Sequence, residues 1–164
     1  MFSGKTEELI RRIKNSNKSY KVFKPVTDTR NKQNKIESHS NIKIDATTIK
    51  NINEVLVFKN KFDIIGIDEA QFFSDDIIDV CNTIANSGSR VIVAGLDMDY
   101  SGKPFGPMPF LMAIAEEVTK VHATCSETGE PALYSFRKTG DKETIMIGEK
   151  KELSLIHISE PTRQ

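Results

Sequence analysis

The sequence has no net charge and no long apolar run, and both absences narrow the choice of ligand. Lysine and arginine together number 23, and aspartate and glutamate also number 23. No overall field therefore attracts the chain to nucleic acid or to an anionic membrane surface. No stretch of the sequence approaches the about 18 apolar residues of a membrane-spanning helix. We expect a small-molecule ligand, with no nucleic-acid partner and no membrane partner.

Cysteine is also scarce, which bears on the compartment. The two cysteines, Cys81 and Cys125, lie far apart and follow no paired spacing. A disulfide framework is therefore not expected, and free thiols suit a reducing compartment such as the cytoplasm. At 164 residues the chain can bury one core but is short for two nucleotide-binding lobes.

Apolar patterns typical of strands alternate along the chain with apolar patterns typical of helices. Strands are expected at 20–25, 62–68, 90–97 and 118–124, and helices at 5–14, 46–57, 110–117 and from Asp75 and Asp76 up to Gly88. Residues 26–41 and 98–109 are expected to be loops. Residues 133–138 and 143–148 can form a β-hairpin across 139–142. The alternation predicts an α/β domain with a mostly parallel sheet and ligands at the carboxyl ends of the strands.

The segment FSGKT at residues 2–6 matches the last part of the phosphate-loop pattern G-x-x-x-x-G-K-[ST]. In such a loop, backbone N–H groups and a helix N-terminus hold the phosphates, and Gly4 lets the backbone approach them. Lys5 would neutralise the β- and γ-oxygens, and the Thr6 hydroxyl would bind Mg²⁺. The first glycine of the pattern would fall two residues before Met1, so we expect the loop and its feeding strand to be incomplete. Alone, GKT is equally compatible with a helix-capping turn.

A second motif, IGIDEAQFF at 65–73, is an apolar strand that ends in two adjacent carboxylates, Asp68 and Glu69. This pattern is typical of a Walker B site, in which the aspartate binds Mg²⁺ directly or through water. The next carboxylate can then face the nucleophile that attacks the γ-phosphate. A solvated acidic turn after a core strand is the alternative. With GKT, the motif predicts a P-loop hydrolase or transferase, without fixing its substrate.

Several segments together resemble the thymidine kinase family of the tetrameric, P-loop type. They are MFSGKTEELIRR at 1–12, KPVTDTR at 24–30, SHS at 38–40, DEAQFF at 68–73, AGLD at 94–97 and GKPFG at 102–106. The resemblance covers about residues 1–149 and implies a RecA-like P-loop domain with a small β-hairpin or lasso-like appendage. It also implies an enzyme of deoxynucleotide salvage that phosphorylates thymidine with ATP and Mg²⁺, assembled as a homotetramer.

The resemblance assigns roles to individual residues. Glu69 is expected to be the general base. The residues expected to bind ATP are Ser3, Gly4, Lys5, Thr6, Asp68, Glu69, Ala70 and Gln71, with Thr6 and Asp68 also on Mg²⁺; those expected to bind thymidine are Phe72, Tyr100, Phe105 and Tyr134. Arg30 and Arg137 are candidate cations for the transferring phosphoryl group, although surface ion pairs would explain both equally well. The aromatic residues are also compatible with ordinary core positions.

The chain departs from the family pattern at the zinc site. Many members hold a structural zinc with two C-x-x-C pairs, whereas this chain has Cys125 there and Thr128 in place of the second cysteine. One thiolate with His122 or His157 falls short of the four ligands that a closed site needs. We therefore predict no zinc.

The resemblance also divides the chain into three parts. Residues 1–124 are expected to form the P-loop kinase domain without its N-terminal strand, 125–150 a substrate-loop subdomain, and 151–164 an atypical tail. Within that tail, residues 153–164 are interpreted as foreign or frame-shifted sequence. Two other functions stay open at this point: a RecA-like ATPase or nucleotide-binding module with another client, and an inactive fragment of the kinase.

Overall fold

The computed structural model describes residues 3–27, 35–37, 43–124, 131–132, 134–137 and 153–156. The helices are α1 (Lys5–Asn15), α2 (Asp76–Asn86) and α3 (Met108–Ile114), with 3₁₀ helices at Ile52–Phe58 and Ala70–Phe72. The strands are β1 (Tyr20–Pro25), β2 (Lys35–Glu37), β3 (Lys43–Asp45), β4 (Thr47–Ile49), β5 (Ile64–Ile67), β6 (Arg90–Val93), β7 (Ala123–Thr124), β8 (Pro131–Ala132), β9 (Tyr134–Arg137) and β10 (Leu153–Ile156). No helix within these ranges is long and apolar enough to cross a membrane.

The main sheet has four strands in the order β4-β1-β5-β6, and each of its pairs is parallel. Ile67 on β5 is level with Phe23 on β1 and with Val93 on β6. All four residues of β5 are buried, as expected for an apolar strand in the middle of a parallel sheet. The predicted α/β fold with a mostly parallel sheet is confirmed.

Alternate residues of the strands divide the core between the two faces of the sheet. On one face, α2 and the 3₁₀ helix Ile52–Phe58 cover Phe23, Ile65 and Ile67. On the other face, Leu9, Ile10 and Ile13 of α1 pack with Val22 and Ile64. Gly66 allows that close approach, since a Cβ there would lie 2.8 Å from Ile13 Cδ1. The two layers fix α1 against the strand that carries the acidic motif.

The predicted helix over 46–57 is wrong in its first part. Thr47–Ile49 instead forms β4, which pairs with β1, because β-branched residues favour a strand. The chain then turns at Asn51, whose side chain accepts from the Asn53 N–H while Glu54 caps the Asn51 N–H. This capping box starts a separate 3₁₀ helix.

The loop expected over 26–41 contains a short strand. β2 pairs antiparallel with β3, with Ile36 level with Ile44, and both side chains are buried. A three-residue strand with one buried side chain is too short to show periodicity in the sequence. The remainder of that loop, 28–34 and 38–41, lies outside the described residues.

Boundaries after β6 also differ from expectation. The strand predicted over 90–97 ends at Val93, and the helix predicted over 110–117 runs from Met108 to Ile114. Pro109 lies in the first turn of α3, where a missing N–H is tolerated. The strand predicted over 118–124 is reduced to Ala123–Thr124, and Val118 is exposed instead of buried in a sheet.

Two small antiparallel pairs lie in the later part of the chain. β7 pairs with β8, and β9 pairs with β10. Tyr134–Arg137 thus forms the first strand of the predicted hairpin, but its partner here is Leu153–Ile156; the expected partner, 143–148, lies outside the described residues. The three-part division of the chain stays a prediction.

Candidate active site

The phosphate-loop residues lie at the start of α1. Gly4 precedes this helix in the left-handed conformation, with φ 76° and ψ 15°, which glycine adopts readily. The Gly4 carbonyl accepts the Glu8 N–H at 2.9 Å and closes the first turn. Lys5 Nζ donates to Ser3 Oγ at 2.7 Å. A lysine together with the backbone N–H groups of a helix's first turn forms a site suited to an anion.

The acidic motif begins at the carboxyl end of β5. Asp68 is 4% exposed, and its N–H donates to the Phe23 carbonyl at 2.9 Å. One carboxylate oxygen, Oδ1, accepts the Glu69 N–H at 3.0 Å. The backbone of β1 therefore holds the Asp68 main chain, and the Glu69 N–H orients the Asp68 carboxylate.

The two motifs meet directly, because Thr6 Oγ1 donates to Asp68 Oδ2 at 3.1 Å. Hydroxyl and carboxylate oxygens are ligands that suit Mg²⁺, which usually takes one or two carboxylates together with phosphate oxygens and water. Across the described ranges, no three His, Cys, Asp or Glu side chains could hold a metal by themselves. The pair thus fits a magnesium ion that arrives with a nucleotide.

Glu69 has an unusual backbone conformation. Its φ of 53° and ψ of 43° lie in the left-handed region, where a residue with a Cβ is strained by about 1–2 kcal/mol. The neighbouring Ala70 N–H donates to the Ala94 carbonyl of the adjacent strand end at 3.0 Å, and Phe72 N–H donates to the Glu69 carbonyl at 3.2 Å. The turn after β5 is thereby fixed against β6. The sequence DEAQ did not indicate a left-handed backbone conformation at Glu69.

Ala70 and Gln71 are buried, at 0% and 3% exposed. Gln71 Nε2 donates to Glu69 Oε2 at 2.5 Å, and Gln71 Oε1 accepts the Leu96 N–H at 3.0 Å. These contacts lie within the protein, so binding of ATP by the two residues stays a prediction.

Two of the four aromatic residues predicted for thymidine are brought together. The rings of Phe72 and Phe105 lie 5.7 Å apart at 85°, an edge-to-face pair, and both are half-buried. Tyr100 is half-buried in the same loop as Phe105. Tyr134 lies in β9, with its side chain outside the description.

The loop that carries Tyr100 and Phe105 is held by its own polar groups. Asp99 Oδ1 accepts from the N–H groups of Ser101 and Lys103 and from the Ser101 hydroxyl, at 2.7–3.0 Å. At its end, Gly106 approaches the Gln71 carbonyl so closely that a Cβ would lie 2.6 Å from that oxygen. The loop is therefore packed against the turn that carries Glu69 and Gln71.

The candidate cations are less well defined. Arg30 and the side chain of Arg137 lie outside the described part of the chain. Sequence reasoning missed Lys24, which is only 1% exposed. Phe23 on β1 is level with Ile67 on β5. Lys24 follows the first of these residues and Asp68 follows the second, so the two charged residues occupy corresponding positions on neighbouring strands. The sequence signal that could have indicated Lys24 is its position next to the proline that ends a predicted strand.

Glu8, in the first turn of α1, accepts hydrogen bonds from two arginines. Arg11 Nε and Arg12 Nε donate to its carboxylate at 2.7 and 2.8 Å. These hydrogen bonds, that of Arg11 first, lower the pKa of Glu8 to about 2. Arg12 also contacts Glu117 at 3.1 Å. These arginines thus partly neutralise one of the two carboxylates in the first turn of α1, the other being that of Glu7.

The cysteines give no sign of a metal centre in the described residues. Cys81 is buried in α2, and burial raises the pKa of its thiol to about 12. A buried neutral thiol is a poor metal ligand. Cys125 and Thr128 lie outside the described ranges, so the absence of zinc stays a prediction.

A glycine–lysine–threonine helix start set against a buried aspartate at a parallel-strand end places the protein among the P-loop α/β nucleotide-binding proteins. A family model described as Thymidine kinase matches residues 1–155, beyond the limit at 149 expected from the sequence.

Known relatives agree with that match. A thymidine kinase of Bacteroides thetaiotaomicron is 50% identical over 155 residues, which cover 93% of this chain and 78% of the relative. One from Porphyromonas gingivalis is 45% identical over 157 residues, covering 94% and 77%. One from a Rhodothermus species is 45% identical over 151 residues, covering 90% and 71%. The chain belongs to the thymidine kinase family.

Proposed function

We propose that this protein transfers the γ-phosphate of ATP to the 5′-hydroxyl of thymidine. The observation that carries the proposal is the 3.1 Å contact between Thr6 and Asp68, which joins a phosphate-binding helix start to the acidic strand end. Glu69 follows Asp68 directly, so its carboxylate would be available beside the bound phosphates. Family membership and the name shared by the relatives support thymidine as the acceptor.

The donor nucleotide would bind at the start of α1. Ser3, Gly4, Lys5 and Thr6 would surround its β- and γ-phosphates, with N–H groups of the first helical turn donating to the oxygens. Thr6 and Asp68 would hold Mg²⁺, which when bound neutralises charge on the β- and γ-oxygens. Lys5 would stabilise the same charge from the protein side.

Glu69 would act as the general base. Its carboxylate would accept the proton of the thymidine 5′-hydroxyl as that oxygen bonds to the γ-phosphorus and the bond from phosphorus to the ADP oxygen breaks. A carboxylate is a weak base toward an alcohol. Most of the acceleration would therefore come from in-line positioning of the two substrates and from stabilisation of the transferring group.

The nucleoside base would bind beside Phe72 and Phe105. Their edge-to-face rings offer an aromatic surface on which a pyrimidine can stack, close to the turn that carries Glu69. Tyr100 and Tyr134 would complete this pocket. We also propose that the protein works as a cytoplasmic homotetramer without a nucleic-acid partner; light scattering after size exclusion tests the assembly.

A coupled assay of ADP release tests the function. The protein is incubated with ATP and Mg²⁺, with and without thymidine, and with uridine and deoxyadenosine as control nucleosides. A thymidine kinase releases ADP in proportion to added thymidine. Release that is independent of every nucleoside would instead indicate a RecA-like ATPase and would contradict the proposal.

A further inference from the structure

The side chain of Gln71 joins Glu69 to a neighbouring segment of the chain. Its amide lies between the Glu69 carboxylate, at 2.5 Å, and the backbone N–H of Leu96, at 3.0 Å. Leu96 follows β6, so the link spans the ends of two adjacent strands. Gln71 is 3% exposed, and its amide is therefore shielded from competing water.

The chemistry of the two partners fixes which way the amide faces. The Leu96 N–H is a donor only, so the Gln71 atom that contacts it must be the oxygen. The NH₂ group then faces Glu69, where it can only donate. Because the other end of the amide is anchored to backbone, Gln71 presents this donor at one fixed position.

Close packing leaves the amide little freedom to turn. A Cβ on Gly95 would lie 3.0 Å from Gln71 Oε1, and a Cβ on Gly106 would lie 2.6 Å from the Gln71 carbonyl oxygen. Glycine at both places lets two backbone segments approach the glutamine. Gln71 is thus closely packed at both its side-chain oxygen and its backbone carbonyl.

Glu69 needs such a partner, because its side chain has three rotatable bonds and its backbone is in the left-handed conformation. Without a partner the carboxylate would sample several rotamers, few of which face an attacking hydroxyl. The hydrogen bond from Gln71 to Glu69 Oε2 restricts the directions in which the carboxylate can face.

We infer that Gln71 is a positioning residue, which holds the Glu69 carboxylate in the orientation that accepts the proton of the nucleoside hydroxyl. This inference rests on the proposed function and deepens it. It assigns to Gln71 a role through Glu69, distinct from the contact with ATP that the sequence motif suggested.

Two substitutions separate the contacts of the amide. Gln71→Glu keeps an oxygen for the Leu96 N–H but replaces the amide donor with a carboxylate that repels Glu69 when ionised, whereas Gln71→Met removes both contacts at similar volume and adds no charge. Each is measured at pH 8 for kcat, for KM of thymidine and ATP, and for thermal stability. The same Gln71→Glu change is made in a Glu69→Gln background.

Both single variants lose the hydrogen bond from the Gln71 amide to the charged Glu69 carboxylate. Because hydrogen bonds to charged groups are among the stronger ones, we expect this loss to lower kcat about 10- to 100-fold. Because positioning acts on the chemical step, both KM values should stay within about twofold of wild type. In the Glu69→Gln background the further loss should be less than about twofold, since the group being positioned is already gone.

Other results would overturn the inference. Unchanged kcat with a raised KM for ATP would make Gln71 a nucleotide-binding residue, and an equal loss in the Glu69→Gln background would show independent action. Failure of both Gln71→Glu and Gln71→Met to fold would make the role structural. A wild-type protein without thymidine-dependent turnover would overturn the proposed function itself, together with this inference.

Discussion

The Thr6 hydroxyl donates a hydrogen bond of 3.1 Å to the Asp68 carboxylate, although 62 positions separate the two residues. Thr6 belongs to the first turn of α1, and Asp68 follows the buried strand β5. Packing of Ile13 against Gly66 holds this helix on this strand. The core of one sheet face thus sets the distance between the two proposed magnesium ligands.

Replacing Thr6 with valine should weaken magnesium binding, because valine has the same shape but no hydroxyl oxygen. Loss of a group at a metal site typically lowers affinity about 10- to 100-fold, and we expect at least a tenfold rise in the Mg²⁺ concentration for half-maximal turnover. Thr6→Ser keeps the hydroxyl and is the matched control, expected to stay within about threefold of wild type. Equal magnesium dependence in all three proteins would remove Thr6 from the metal site.

The left-handed backbone of Glu69 should make glycine more stable there than alanine. Both Glu69→Gly and Glu69→Ala lose the carboxylate and its contact with Gln71, so their difference isolates the backbone. Relief of about 1–2 kcal/mol of strain, less the greater unfolded-state entropy of glycine, leaves glycine ahead by about 0.5–1 kcal/mol. Urea unfolding of the two variants measures this. An alanine variant as stable as the glycine variant would show that the conformation carries no strain.

Gly106 should tolerate alanine much less well than Gly88. Both have positive φ, 51° and 96°, so alanine strains either backbone. A Cβ on Gly88 meets nothing within 4 Å, whereas one on Gly106 would lie 2.6 Å from the Gln71 carbonyl oxygen. We expect Gly106→Ala to lose about 1–3 kcal/mol more unfolding free energy than Gly88→Ala.

Turnover gives a second measurement for the same pair of variants. Gly106→Ala should also lower kcat, because Gln71 has to shift, whereas Gly88→Ala should not. Equal losses of stability and activity at the two glycines would show that the loop is not packed against Gln71 in solution.

The Glu8 ion pairs should contribute stability that depends on pH. Hydrogen bonds from Arg11 and then Arg12 lower the pKa of Glu8 from 4.5 to about 2. The folded state therefore binds this proton less readily than the unfolded state, so the stabilisation is complete above about pH 4.5 and disappears as the pH falls toward 2. Because the pairs lie near the surface, we expect less than about 1 kcal/mol.

Unfolding of wild type and Glu8→Gln at pH 7, 4 and 3 measures this contribution. The difference in unfolding free energy should shrink with each step down in pH, and 1 M salt should reduce it at pH 7. A difference that grows on acidification would contradict the assigned ion pairs.

The sequence was most informative where apolar periodicity is strong. The run at 62–68 and the segment RVIV at 90–93 predicted strands of a parallel sheet. Both are strands of that sheet; β5 is fully buried, whereas Arg90 of β6 is exposed and the other three residues of β6 are half-buried. The helix predicted over residues 46–57 was partly wrong, because Ile49, Ile52 and Val55 have the spacing of one face of a helix. In the fold the first belongs to β4 and the others to a 3₁₀ helix, and the choice is made by pairing with β1, which no local pattern contains.

The site shows the same division. The motifs indicated Lys5, Thr6, Asp68 and Glu69 because each chemistry-bearing residue stands next to a recognisable helix start or strand end. The link from Glu69 through Gln71 to Leu96 could not be predicted, since Gln71 and Leu96 are 25 positions apart and their contact depends on the adjacent ends of β5 and β6.

Transfer of the labelled γ-phosphate from ATP to thymidine tests the proposed phosphotransfer most directly. With Mg²⁺ and thymidine, wild type should place the label on the 5′-oxygen of thymidine. Glu69→Gln should form that product at least about 100-fold more slowly, because a general base typically contributes 10²- to 10⁴-fold. Label released as inorganic phosphate whether or not thymidine is present, or a Glu69→Gln variant as active as wild type, would contradict it.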